Sequence, residues 1–314
     1  KMVSVNRPAN LRLDAENGLP VFSPDGARLA VGHNATAVEP ETWDPVISHL
    51  LSYEPTILEG EASFVVGLAR RCRTLGIRFP SLRSVRLAHT FAWRLYTEEI
   101  RSVFAVPITK ILNSSEVGKI GMTCALGHYH LIEQVCLYEA LTAGRWCKAG
   151  ELGALVITTL NTQLRPFIRY ANGDLIRFVA ATCPCGRPGR TFEYAGRVHH
   201  LFENRDGRLV TYLDIDEAIG APQGVAFFRL HVEAEHATLY LVPSGSQALV
   251  DTPALIARVE ALIQRTTKIE WVSELPLENP RGKLTSVITP PGSTSKWLRA
   301  LLGPNAYDFL SARE

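Results

Sequence analysis

The chain has 314 residues, 46% hydrophobic and 20% charged, with 33 Lys and Arg against 31 Asp and Glu for a formal net charge of +2. That length can bury a sizeable core and suits a large domain with a smaller companion. The near-balance of charge excludes an electrostatic claim on nucleic acid or an anionic membrane surface. No apolar run approaches the roughly 18 to 20 residues that cross a bilayer, so no membrane partner and a cytoplasmic location are expected. Six cysteines (Cys72, Cys124, Cys136, Cys147, Cys183, Cys185) in so long a chain do not make a disulfide framework, and a reducing compartment leaves them as thiols or metal ligands. The only methionines are Met2 and Met122, so Met2 is the expected initiator and Lys1 an addition before it.

Residues 3 to 40 are rich in Asn, Pro and Gly with short apolar pieces, which predicts short strands and turns. Asp44-Pro45 offers an N-cap and a first-turn proline, and Val46, Ile47, Leu50 and Leu51 follow with helical period. After a break at Glu54-Pro55, a second helix carries Phe64, Val65, Leu68 and Cys72 on one face and ends near Gly76. A strand over 84–87, a helix over 97–104 and an apolar run over 106–112 continue an alternation that argues for a layered α/β domain. From Glu151 the texture becomes short and β-rich, suiting a small β-barrel or a sheet extension. A compact α+β unit is expected from about Arg197: strand pieces near LVTYL, a hairpin in FFRLHVEAEHATLYLV, a helix from Thr252-Pro253, the strand IEWV and the loop LPLENPRGK. An amphipathic tail helix with Trp297, Leu298, Leu301 and Leu302 ends at Gly303-Pro304. The expected boundaries are 1–196, 197–290 and 291–314.

Chemistry concentrates in 169–197, RYANGDLIRFVAATCPCGRPGRTFEYAGR. Cys183 and Cys185 share a tight turn, and Cys124, His128 and His130 lie upstream. Three thiolates and one imidazole would close a structural tetrahedral zinc site, whereas turn cysteines packed as small hydrophobes are the plainer alternative. Asp174 and Arg197 suit ribose hydroxyls and a phosphate, or a salt bridge that pins a sheet. Lys283 is a loop lysine, and Glu116 is either a magnesium ligand or a helix-start carboxylate.

In order, SSEVG, Cys124-x5-His130, GELGALVITTL, RYANGDLIRF with CPCGRPG, GRVHHLF and LPLENPRGKL resemble the adenylate-forming enzymes of the phenylacetate-CoA ligase type, especially their relatives near capsule biosynthesis. The resemblance runs roughly from Asp44 to Leu284. It implies a large α/β domain with a small β-barrel and a mobile α+β C-terminal domain. It also implies activation of a carboxylate with ATP and magnesium, then passage of the acyl group to a thiol, usually that of CoA. By the same resemblance Glu116 and Ser115 match the magnesium and phosphate residues, Asp174 the ribose acid, Arg197 the arginine after the large domain and Lys283 the adenylation lysine. Cys124, His130, Cys183 and Cys185 match structural zinc ligands.

The departures are as informative. Residues 2 to 43 hold no Gly/Ser/Thr-rich phosphate loop, Leu112-Asn113 replaces an aromatic-glycine pair, Ala88-His89-Thr90 replaces a glycine-glutamate turn, and His199 and His200 replace two aspartates. The leading expectation is therefore a ligase fold, N-terminally shortened, that binds ATP poorly and transfers an already activated acyl group, from a CoA or acyl carrier protein thioester, to an amine or thiol. His89, His199 and His200 are its candidate bases. The alternatives are a working ATP-dependent acyl- or aryl-CoA ligase, and an inactive ligase fold that docks a partner through Trp297, Leu301, Tyr307 and Phe309. A homodimer is left open.

Overall fold

A computed structural model describes residues 1–6, 21–23, 26–32, 34–160, 166–278, 283–290 and 293–303. Its first half alternates strands and helices: β1 (Met2–Asn6), β2 (Val21–Ser23), β3 (Gly26–Ala30), α1 (Trp43–Tyr53), β4 (Ile57–Gly60), α2 (Ala62–Leu75), β5 (Ser84–Leu87), α3 (Arg94–Phe104) and β6 (Ile108–Ser114). The next strands are β7 (Gly118–Thr123), β8 (Tyr129–Leu131), β9 (Cys136–Thr142), β10 (Arg145–Trp146), β11 (Leu152–Thr159), β12 (Tyr170–Phe178) and β13 (Thr191–Arg197). All thirteen belong to one sheet in the order β10-β9-β11-β12-β13-β8-β7-β6-β5-β4-β1-β3-β2.

β6 is the joint. It pairs parallel with β5 at Val85–Ile108 and antiparallel with β7 at Ile111–Met122. On one side lie the parallel strands β5, β4, β1 and β3, edged by antiparallel β2, with helices α1 to α3 between β3 and β6; on the other lies the antiparallel layer, here as a sheet extension. That layer begins at Gly118, well before the expected change at Glu151, because β7 to β9 carry short alternating pieces inside the nominal α/β stretch.

Two boundaries differ from expectation. α1 starts at Trp43 without a side-chain cap, and Asp44 is instead held by the guanidinium of Arg71 on α2, Nη2 to Oδ2 at 2.8 Å. α3 begins three residues before Thr97, at Arg94, whose backbone N–H donates to Asp216 Oδ1 at 2.6 Å. A first-turn donor has no partner within its own helix, and here the C-terminal part of the chain supplies one.

The C-terminal α+β domain contains the hairpin β14 (Phe202–Glu203) and β15 (Leu209–Val210), α4 (Tyr212–Ile219), β16 (Val225–Val232), β17 (His236–Pro243), α5 (Thr252–Ile263), β18 (Thr266–Trp271) and β19 (Val287–Ile288). Its sheet runs β18-β17-β16-β19. The LVTYL stretch divides between strand and helix, since Thr211 and Asp214 form a reciprocal capping box that starts α4 at Tyr212.

One apolar core joins this domain to the parallel layer. Trp93 meets Phe228 edge-on at 4.9 Å and Tyr212 at 4.7 Å, while the Arg70 guanidinium lies 4.8 Å from the Phe227 ring. The last helix, α6 (Ser293–Leu302), leaves the C-terminal domain and returns to the antiparallel layer. Trp297, Leu298 and Leu301 are buried there against Ala154, Leu175, Ala195, Val198 and Leu201. Gly303 (φ +86°) closes the contact, since a Cβ on it would stand 2.7 Å from the Gly144 Cα, and the Gly144 N–H donates to the Leu301 carbonyl at 3.0 Å. Pro304, Tyr307 and Phe309 lie outside the described residues.

Candidate active site

β12 and β13 place Asp174 opposite Arg197, with a register shift between Leu175 and Ile176 that turns the carboxylate toward the strand end. Asp174 is 5% exposed. Its Oδ1 accepts the Tyr194 hydroxyl at 3.1 Å, its Oδ2 accepts the Asn172 amide, and its own N–H donates to Asn172 Oδ1 at 3.0 Å. Arg197 donates through Nη2 to the Asn172 carbonyl at 2.6 Å and keeps Nε 3.7 Å from Asp174 Oδ1. Burial pushes the Asp174 carboxyl up from its ordinary range, while Arg197, Asn172, Tyr194 and Lys283 pull it down. Burial and the adjacent Asp174 also raise Tyr194, which keeps its phenol protonated as a donor.

Lys283 comes from the far end of the sequence. Its ammonium donates to the carbonyl of His89 and its charge reaches Asp174. His89 has φ +73°, a left-handed conformation uncommon outside glycine, and this turn after β5 aims the carbonyl at the lysine. Asp174, Arg197 and Lys283 are thus gathered from three parts of the chain.

The other predicted residues take different places. Ser115 and Glu116 are exposed on the turn between β6 and β7. Among the described residues, no hydrogen bond or ion pair joins them to Asp174, Arg197 or Lys283. His199 and His200 pack together with ring centroids 3.8 Å apart, and His200 stacks on Tyr212 at 4.7 Å. Surrounding protein and Arg197 lower His199 to about 4, although part of its edge is exposed, and burial with the neighbouring His199 lowers His200 to about 3. In this setting both imidazoles are held toward their neutral form.

Tyr194, the partner of Asp174, also faces a cavity of about 330 Å³ whose walls include Phe91, Lys110, His128, Tyr129, Phe192, Glu193 and Asp216. Burial lowers the Lys110 pKa, and its ammonium donates to the Ala92 carbonyl at 3.0 Å. Aromatic faces in such a cavity suit a planar ring. Tyr194, Asn172 and Phe91 escaped the sequence reading. The available signal was Tyr194, an aromatic residue three positions before Arg197 on the strand that pairs with Asp174.

The cysteine cluster forms at the other end of the same strands. The ligand atoms of Cys124, His130, Cys183 and Cys185 all lie within 4.8 Å of one another. Cys124 and Cys183 Sγ are 3.8 Å apart, and Cys185 Sγ is 3.3 Å from His130 Nε2. A tetrahedral centre with thiolate bonds of about 2.3 Å separates its sulfurs by about 3.8 Å, so the donor set fits a metal. His130 Nδ1 lies 3.3 Å from the Pro188 carbonyl, an arrangement that leaves Nε2 facing the sulfurs. Burial pushes the Cys124 thiol up, but the Leu126 and His128 N–H groups outweigh it and bring the pKa to about 6. His128 Nδ1 also touches Cys183 Sγ, at 3.2 Å. Gly189 (φ +90°) permits the closing turn, because a Cβ there would sit 2.2 Å from the Leu131 carbonyl oxygen.

No family model matches the sequence. Over 172 residues the chain is 27% identical to phenylacetate-coenzyme A ligase of Thermus thermophilus, covering 52% of this chain and 38% of that ligase. The structure of 2-hydroxyisobutyryl-CoA ligase in its postadenylation state, in complex with R3-HIB-AMP, matches with TM-score 0.70 and 18% identity over 95% of this chain and 67% of that one. The fold is that of the adenylate-forming CoA ligases. Anthranilate CoA ligase AuaEII with anthranoyl-AMP shares it at TM-score 0.63 and 15% identity, over 82% of this chain and 52% of that one. An open conformation of 2-hydroxyisobutyryl-CoA ligase matches at TM-score 0.52. The chain therefore spans 38% of the phenylacetate-CoA ligase and 67% of the first structure compared.

Proposed function

We propose that this chain carries the acid-activating site of an acyl- or aryl-CoA ligase, with ATP as co-substrate, and that its product is an acyl-adenylate passed on to CoA. The observation that supports this reading best is the convergence of Lys283 on Asp174 and Arg197 beside an aromatic-walled cavity. Transfer of a preformed thioester was expected largely from the missing phosphate loop. Because the match reaches 38% of the phenylacetate-CoA ligase, the composition of residues 2 to 43 does not decide ATP use.

In the proposed reaction a substrate carboxylate oxygen attacks the α-phosphorus. The bond from that phosphorus to the bridging oxygen breaks, and pyrophosphate leaves. Lys283 supplies positive charge between carboxylate and α-phosphate, where negative charge crowds as the new bond forms. Asp174 accepts the ribose hydroxyls, and Tyr194 and Asn172 hold its two oxygens in place for them. Arg197 adds charge at the same edge. CoA thiol attack on the acyl carbon would then expel AMP.

Magnesium would neutralise charge on the phosphates. Glu116 is the residue assigned to it, and no other acid clusters with Glu116 among the described residues, so nucleotide oxygens and water would complete such a site. Cys124, His130, Cys183 and Cys185 are assigned to a structural zinc that ties the β7–β8 turn to the loop after β12, with no position left for substrate. The C-terminal domain, residues 197–290 in this reading, brings Lys283 to the site.

The test is acid-dependent exchange of labelled pyrophosphate into ATP across short acyl and aryl acids. Exchange that needs both the acid and Lys283 supports the reading. No exchange with any acid, together with acyl transfer from a CoA thioester to an added amine or thiol, would replace ligation with transfer chemistry.

A further inference from the structure

Arg229 lies on β16 and is 4% exposed; the Glu278 charge acts on it, but among the described residues no carboxylate comes within ion-pair contact. Its fork is spent on main-chain carbonyls instead. Nε donates to Thr285 O at 2.9 Å and Nη2 to Pro276 O at 2.6 Å. These carbonyls stand on either side of Lys283 in sequence, seven residues before it and two after, and form the two feet of its loop.

Taking a guanidinium out of water is costly unless its hydrogen bonds are well made. A planar fork with fixed donor directions can hold two strands at one separation, which a single ammonium cannot. The feet are fixed from other sides too. Leu230 N–H donates to Ser286 O at 2.9 Å, and Asn34 Nδ2 donates to Leu275 O at 2.8 Å. Lys283 stands two residues from Thr285, about 7 Å of chain at most, so the clamp decides where the lysine emerges toward the His89 carbonyl.

We propose that Arg229 is a positioning residue for Lys283, clamping both feet of its loop and thereby holding the ammonium at the Asp174 edge. The assignment rests on the ligase reading for its catalytic meaning, but the clamp itself is measurable without turnover.

The first measurement is competitive acylation of lysine amines in the folded protein, read by peptide mass spectrometry, for wild type, Arg229→Ala and Arg229→Lys. Release of the loop raises Lys283 labelling several-fold in both variants, with other lysines unchanged. Should Arg229→Ala fail to fold, Arg229→Lys, which keeps the charge but spans one carbonyl, decides the matter. The second measurement is a cycle of Arg229→Ala and Lys283→Ala in pyrophosphate exchange. Arg229→Ala lowers exchange by about 10- to 100-fold, on the scale of two hydrogen bonds from a charged group partly replaced by water. That loss vanishes when Lys283 is already Ala, and added guanidinium restores activity only where Lys283 is present. Unchanged Lys283 labelling in a folded variant, or equal fractional losses in both backgrounds, overturns the proposal. Absence of exchange in wild type would overturn the ligase reading alone, and labelling would still judge the clamp.

Discussion

The cysteine cluster and the lysine site share the antiparallel layer and are built in opposite ways. Cys124, His130, Cys183 and Cys185 come from two short turns of one antiparallel layer, so their geometry is complete once β7, β8 and β13 pair. Asp174 and Arg197 are also neighbours in one strand pair, but Lys283 arrives from another domain and is held by a carbonyl of the β5 turn. The proposed structural centre would be indifferent to where the C-terminal domain lies. The proposed catalytic one exists only when that domain is docked.

Substituting Lys283 breaks the second without touching the first. Lys283→Ala is expected to lower pyrophosphate exchange by about 100- to 1,000-fold, the usual scale for losing one preorganised charge at a reacting centre, with no change in melting temperature. A variant that keeps its exchange rate would remove Lys283 from the chemistry. Cys185→Ser should do the converse. Loss of bound metal by elemental analysis is expected with a fall in melting temperature of about 10 °C, since a structural metal contributes several kcal/mol; unaltered stability with no metal in either protein would leave four packed side chains.

Trp297→Ala probes the join between the two regions. Emptying a 7% exposed indole site is expected to cost about 3 kcal/mol in denaturant unfolding, and a negligible cost would mean that α6 does not hold its groove. His200 gives a smaller and pH-dependent effect. Its proton affinity falls from 6.5 in the ordinary state to about 3 in the fold. The unfolded chain therefore binds a proton that the folded chain refuses in that window. Stability is full above about pH 6.5 and declines on acidification by about 1.4 kcal/mol per pH unit from this residue. His200→Gln should flatten that slope, and an identical slope in the variant would refute the assignment. Least of all, His128→Ala should leave metal content unchanged, because His130 supplies the imidazole of the cluster.

Local chemistry was legible. The family resemblance grouped Cys124, His130, Cys183 and Cys185, and the pairing of β8 with β13 brings these four side chains together. The end of α2 at Gly76 was equally readable, since the apolar period stops at a glycine. What escaped depends on partners distant in sequence. Asp44 looked like a helix cap, but an arginine one helix later competes for its carboxylate. Nothing in the strand VAFFRLHV signals that Arg229 is buried; in the fold its guanidinium is covered where it meets the Thr285 and Pro276 carbonyls. Tyr194 and Asn172 were plain strand residues until the register shift in β12 turned Asp174 between them.

The path of the chain after β19 has one more consequence. Thr289 Oγ1 donates to the His199 carbonyl at 3.1 Å, so the strands entering and leaving the C-terminal domain run side by side, and α6 then fastens the outgoing one to the antiparallel layer. The domain hangs like a visor on two rivets. The four residues 289–292 bridge at most about 17 Å between Ile288 and Ser293, and any swing that carries Ile288 farther than that must first lift Trp297 out of its groove.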